Sequence, residues 1–99
     1  MENRYVNIAL NIPVDKLFTY RVPEFTKNVQ PGMRAIVPFG DRVHTGIIVE
    51  FTEPEDTEKI KNLNIILDKY PVLDEKMLEF SKWLCKYYVS TPGEIYFLG

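Results

Sequence analysis

From Val6 to Ile12 the chain alternates residue by residue, with Val6, Ile8, Leu10 and Ile12 on one side and Asn7, Ala9 and Asn11 on the other. A period of two is the mark of a strand that buries a single face. The pattern returns four times. Leu17 to Val22 places Phe18, Tyr20 and Val22 against Thr19 and Arg21; Met33, Ala35, Val37 and Phe39 share a face, as do Ile47, Val49 and Phe51; and Leu63, Ile65 and Leu67 close the series. Between these runs stand Pro13, Pro23, Pro31-Gly32 and Gly40, residues that end strands and turn chains, and then an acidic stretch from Thr52 to Lys61. Five short one-faced strands joined by tight corners favour an antiparallel sheet that curls over its own apolar face.

Only after the strands does the period change. Asp74 is a good N-cap, and Glu75 puts an anion in the first turn, where the helix dipole favours it. Met77, Phe80, Leu84 and Tyr87 then recur at helical spacing as the buried stripe, with Trp83 and Tyr88 assigned to the core beside them. Glu75, Glu79, Lys82 and Lys86 form the solvated stripe. Thr91-Pro92-Gly93 reads as the stop. The expected fold class is α+β: a small antiparallel, partly open β-barrel of about five strands, followed by one C-terminal α-helix. Residues 1–70 form the barrel, 71–91 the helical cap, and 92–99 the start of a connection to downstream domains. That last expectation comes from the ending Gly-Glu-Ile-Tyr-Phe-Leu-Gly, strand-like and without a polar tail.

Composition narrows the function. A chain of 99 residues, 45% hydrophobic, suits one small domain with a modest core. No apolar run is long enough to span a bilayer, and Met-Glu-Asn-Arg-Tyr lacks the layout of a secretion signal, so the expected compartment is the cytoplasm and no membrane partner is expected. Cys85 is single and reads as a small buried hydrophobe; with one His and no Cys/His cluster, neither a disulfide nor a metal site is expected. Twelve basic against 14 acidic side chains give a formal charge of −2, so any contact with a polyanion must be local.

For catalysis the inventory is thin. His44 sits beside Thr45 on a strand and should alternate outward, with no positioned partner for acid–base work. Glu53, Glu55 and Asp56 suit a solvated loop better than a carboxylate dyad. There is no nucleophile elbow, phosphate loop or dinucleotide fingerprint. The segment is therefore expected to bind, not to catalyse. One oddity points to where: Pro38-Phe39-Gly40-Asp41-Arg42 joins two strands with an aromatic ring in the turn, where Asn-Gly or Asp-Gly would suffice. Either Phe39 is core or it serves a ligand.

Leu-Phe-Thr-Tyr-Arg-Val-Pro (17–23), Pro-Gly-Met-Arg-Ala-Ile-Val-Pro-Phe-Gly-Asp-Arg (31–42), Gly-Ile-Ile-Val-Glu-Phe (46–51), Asn-Ile-Ile-Leu-Asp-Lys-Tyr-Pro-Val-Leu (64–73) and a helix carrying Trp83, Tyr87 and Tyr88 follow one another along nearly the whole chain. In order and spacing they resemble the amino-terminal domain of the PriA family of bacterial replication-restart DNA helicases. The resemblance implies a 3′-DNA-binding module that holds the terminal nucleotide of a nascent strand at a stalled fork, through its free 3′-hydroxyl and with little base preference. It also implies a parent that is an ATP-dependent 3′-to-5′ helicase, with ATP, Mg and zinc bound in downstream domains and other primosome proteins as partners, and no cofactor in this segment. By motif position it assigns DNA 3′-end binding to Phe18, Thr19, Gly40 and Lys61. Phe39, on the face of Ala35 and Val37, and Tyr20, on the face of Phe18, are read beside it as pocket support. Many members of the family carry an acidic residue where this chain has Thr19.

Physical chemistry gives those assignments a rationale. Every base has a π-face, so an aromatic platform binds without sequence preference, at about 1 to 3 kcal/mol per stacked base. A glycine lets backbone approach the sugar, and a lysine supplies charge for the last phosphate. Each residue also has a purely structural role open to it: Phe18 as core, Gly40 as a turn glycine, Lys61 as a surface lysine. A second class of function fits too, a protein-interaction or interdomain docking module without DNA contact, because half-open barrels with exposed strand edges commonly pair with other chains.

Overall fold

The alternating runs become the wall of a barrel. In the computed structural model, which describes residues 3–87 and 91–97, they form β1 (Arg4–Leu10), β2 (Phe18–Val22), β3 (Arg34–Phe39), β4 (Arg42–Thr52) and β5 (Ile65–Ile66). The sheet order is β2-β1-β4-β3-β5, and all neighbours run antiparallel. One set of alternate side chains fills the interior: Val6, Ile8 and Leu10 from β1, Tyr20 and Val22 from β2, Ala35 and Val37 from β3, and Ile48 from β4. Met33, Val29 and Leu63 plug the ends.

Closure comes from the short segment before β5. The Arg21 amide donates to the Lys61 carbonyl (2.9 Å), and the Leu63 amide donates back to the Arg21 carbonyl (3.0 Å), so the free edge of β2 is covered. A residue later the Asn64 amide donates to the Ile36 carbonyl of β3 (2.8 Å). One strip of chain thus satisfies both outer strands, which removes the pairing hazard of open edges. Asp68 fastens the strip: its carboxylate accepts from the Arg34 amide (2.8 Å), Nε (3.1 Å) and Nη2 (2.8 Å). That fork holds the Asp68 pKa below its ordinary value and the Arg34 pKa above its own.

The opposite face of the sheet carries the helices. Ala9, Ile47 and Val49 pack against Leu78 of α1 (Glu75–Tyr87) and against Ile95 and Tyr96 of α2 (Pro92–Tyr96). Asp74 caps α1 as the sequence implies, accepting from the Met77 amide at 2.8 Å. None of the described helices is long and apolar enough to cross a membrane.

Several expectations need correcting. The buried stripe of α1 is Leu78, Leu84 and Cys85, whereas Met77, Phe80 and Tyr87 are exposed and Trp83 is half exposed. Both sets lie at helical spacing, so periodicity cannot choose between them; packing of Leu78, Leu84 and Cys85 with Ala9, Ile47 and Val49 of the sheet decides. Tyr88 lies outside the described residues. Phe51 does not share the face of Ile47 and Val49, because a bulge between the Asn7↔Glu50 and Ile8↔Ile48 pairs brings it into register with Val6. In the last run Leu63 is buried but Ile65 and Leu67 are about half exposed, and the strand is only Ile65–Ile66. His44 is partly covered, its ring edge-on to Phe39 at 5.7 Å.

Residues 92–96, read from sequence as the start of a connection, make a second helix. Thr91 caps it, accepting from the Glu94 amide at 3.3 Å. Gly93 sits so close to β1 that a Cβ there would lie 2.2 Å from the Leu10 carbonyl oxygen. The same Thr-Pro-Gly that stops one helix starts another.

Candidate functional site

At one end of the barrel β2, the turn between β3 and β4, and the loop leading to the closing strip surround an open cavity of ≈ 270 Å³. β2 contributes Phe18, Thr19 and Tyr20; the turn contributes Pro38, Phe39 and Gly40; the loop contributes Asp56, Lys59, Ile60 and Lys61. All six residues picked out in the sequence line this one space, although they come from three separated segments.

Each is placed by a local cause. Phe18 and Phe39 meet edge to face with ring centroids 4.8 Å apart, both packed on the barrel core, so the aromatic floor is rigid. Tyr20 is buried, and its hydroxyl donates to the Pro38 carbonyl at 2.7 Å, tying the turn to β2. Burial pushes the Tyr20 phenol above its ordinary pKa, which keeps it a donor. Gly40 adopts φ +62°, a left-handed conformation that glycine takes without strain, and a Cβ built on it would meet nothing within 4 Å. It lines the cavity, with open space beyond its α-carbon. Lys61 is held through its own carbonyl by the Arg21 amide, which sets its position beside Thr19 and Tyr20.

Thr19 is engaged elsewhere. Its hydroxyl donates to Asn7 Oδ1 (2.7 Å), Asn7 Nδ2 donates to Glu50 Oε2 (2.9 Å), and Lys82 of α1 pairs with Glu50 Oε1 (3.2 Å). The side chain belongs to a polar chain running across the helix-bearing face, so its hydroxyl proton is spent and what it offers the cavity is backbone and a neutral acceptor oxygen.

Four participants were not singled out in the sequence. Asp56, Lys59 and Ile60 lie in a stretch read as a solvated acidic loop; the signal was the pair of lysines, Lys59 and Lys61, that ends it. Lys16, two residues before Phe18, holds its ammonium 5.2 Å from the centre of the Phe18 ring. Among the described residues no group of three acidic, His or Cys side chains is placed to hold a metal ion.

The cavity is at the small end of ligand sites, apolar and aromatic at its base, with cations on its rim. An aromatic base suits a flat, weakly polar group and a lysine rim an anionic one, which defines a small β-barrel ligand-binding module. Comparison with known proteins makes the class specific. Residues 7–98 match the family model for the PriA 3′DNA-binding domain (3′BD), and the chain belongs to that family. It is similar to the replication restart protein PriA of Haemophilus influenzae, at 31% identity over 96 residues covering 95% of this chain and 13% of the relative. The PriA proteins of Bacillus subtilis (36% identity, 72% of this chain, 9% of the relative) and Rickettsia conorii (33%, 85% and 13%) are similar as well. The chain thus spans about an eighth of the length of these curated relatives.

Proposed function

We propose that this domain holds the 3′-terminal nucleotide of a DNA strand in the Phe18–Gly40–Lys61 cavity, with the free 3′-hydroxyl facing the backbone of β2 and the Pro38–Gly40 turn. The observation that carries the reading is the convergence of the aromatic floor, the exposed Gly40 backbone and Lys61 on one nucleoside-sized space. Phe18 and Phe39 contribute base-independent contact, and the lysine meets the last phosphate. An end differs from an internal position by its free 3′-hydroxyl, and that group is what the backbone of β2 and the turn meets. Within a longer protein built like the PriA relatives, the module serves replication restart by placing the end of a nascent strand at a stalled fork before an ATP-driven helicase motor.

The test is fluorescence anisotropy with a short single-stranded oligonucleotide and its circularised form. The linear strand should bind at least about tenfold more tightly, as expected when the site's main contacts need a terminus. Equal binding of the circle contradicts end recognition.

A second reading is favoured by one observation. Met77, Phe80 and Tyr87 line the exposed face of α1, with the Phe80 and Trp83 rings stacked at 6.2 Å. An uncovered apolar stripe of this kind suits docking against other polypeptide. The two readings use different faces and are compatible.

A further inference from the structure

The proposed site contains a charge of the wrong sign. Asp56 lies on the cavity with Lys59 and Lys61, and it is the acidic group among the lining residues. A carboxylate repels a nucleic acid strand wherever it faces phosphate, so its presence in a DNA site is favourable only against a part of the ligand that donates a hydrogen bond. A strand terminus donates from the edge of its base and from its 3′-hydroxyl, and of these only the hydroxyl is the same for every nucleotide. Thr19 gives its hydroxyl proton to Asn7 Oδ1 and keeps only a neutral oxygen as acceptor, so Asp56 is the charged acceptor on the cavity.

Resting on the end-binding reading above, we propose that Asp56 is the residue that recognises the 3′-hydroxyl and rejects a 3′-phosphate. Its carboxylate is already oriented: Oδ1 accepts from the Glu58 amide at 3.1 Å, an Asx-type turn that fixes the side chain while leaving Oδ2 for a ligand. A hydroxyl placed there donates to a charged acceptor, the stronger kind of hydrogen bond. A phosphate placed there meets like charge and offers nothing to donate. Lys59 and Lys61 hold the strand by its other, anionic side, so acid and bases divide one nucleotide between them. Selectivity then comes from a repulsive element as much as from an attractive one.

The experiment compares otherwise identical 5′-labelled oligonucleotides ending in 3′-hydroxyl, 3′-hydrogen and 3′-phosphate, with the circle as the end-free control, on the wild-type chain and on Asp56→Asn. Asparagine keeps an acceptor for the Glu58 amide and nearly the same size, and a melting curve confirms that the variant folds. The wild type should prefer 3′-hydroxyl over 3′-phosphate by about tenfold or more, and Asp56→Asn should reduce that ratio to within about threefold, chiefly by tighter binding of the phosphate end. If the linear strand outbinds the circle but the ratio is unchanged in Asp56→Asn, the assignment of Asp56 is overturned and end binding stands. If linear and circular strands bind alike, end binding fails and the assignment falls with it.

Discussion

At the scale of residues, Gly40 and Tyr20 separate ligand contact from support. Gly40 has a left-handed φ and open space beyond its α-carbon, so Gly40→Ala meets no neighbour and costs only about 1 to 2 kcal/mol of backbone strain. Oligonucleotide affinity should fall at least about tenfold while the fold survives, measured by anisotropy beside a thermal melt. A valine there is a poorer probe, since a branched side chain tolerates positive φ badly. Tyr20→Phe deletes the hydrogen bond to the Pro38 carbonyl, and denaturant titration should show a loss of about 1 kcal/mol. The buried Tyr20 phenol, raised above 10.0, favours the folded state fully below that pH; the contribution is lost as pH climbs through the higher folded value. Tyr20→Phe should therefore flatten the fall in melting temperature above pH 10. Phe39 was legible as either core or ligand-serving; it packs on the core and also lines the cavity, because a ring at the rim of a barrel touches both. Asp56 was not legible, since loop acids are ordinarily solvated and nothing local shows what a distant turn brings beside one.

Elements were legible to the extent that a single period described them. β1 and β3 follow strict alternation and bury the side chains it implies. α1 carries two apolar stripes, and which one is buried depends on the shape of the sheet beneath, which the helix sequence does not contain. The two assignments differ measurably. Leu78→Ala, at a position 8% exposed, should cost about 2 to 3 kcal/mol in chemical denaturation, whereas Phe80→Ala, 60% exposed, should stay within about 0.5 kcal/mol. Equal losses contradict the observed orientation. α2 was missed because Pro-Gly after a helix is a strong stop signal. The opposite signal was present in Thr91-Pro92-Gly93-Glu94: a capping residue, proline at the first helical position and glutamate at the third.

The molecule as a whole is a barrel closed by a strip of chain that hydrogen-bonds to both of its outer strands. Closure carries Asp56–Lys61 over to the Pro38–Gly40 turn and completes the cavity, and no local pattern encodes so distant a meeting. The site residues were found in the sequence through family resemblance; the physical grounds for grouping them exist only in three dimensions. A net charge of −2 gives the chain no overall pull on a polyanion, so the proposed grip on DNA is that of one pocket. The logarithm of affinity should therefore fall with the logarithm of salt at a slope of only about −1, the value for one or two phosphates on a single strand. The most direct test of the pocket is a titration of the ¹⁵N-labelled chain with a short oligonucleotide bearing a free 3′-hydroxyl, followed by backbone amide shifts. The largest changes should fall on Phe18, Thr19, Phe39, Gly40 and Lys61; changes concentrated on Met77 to Tyr87 of α1, with the barrel end silent, contradict the account.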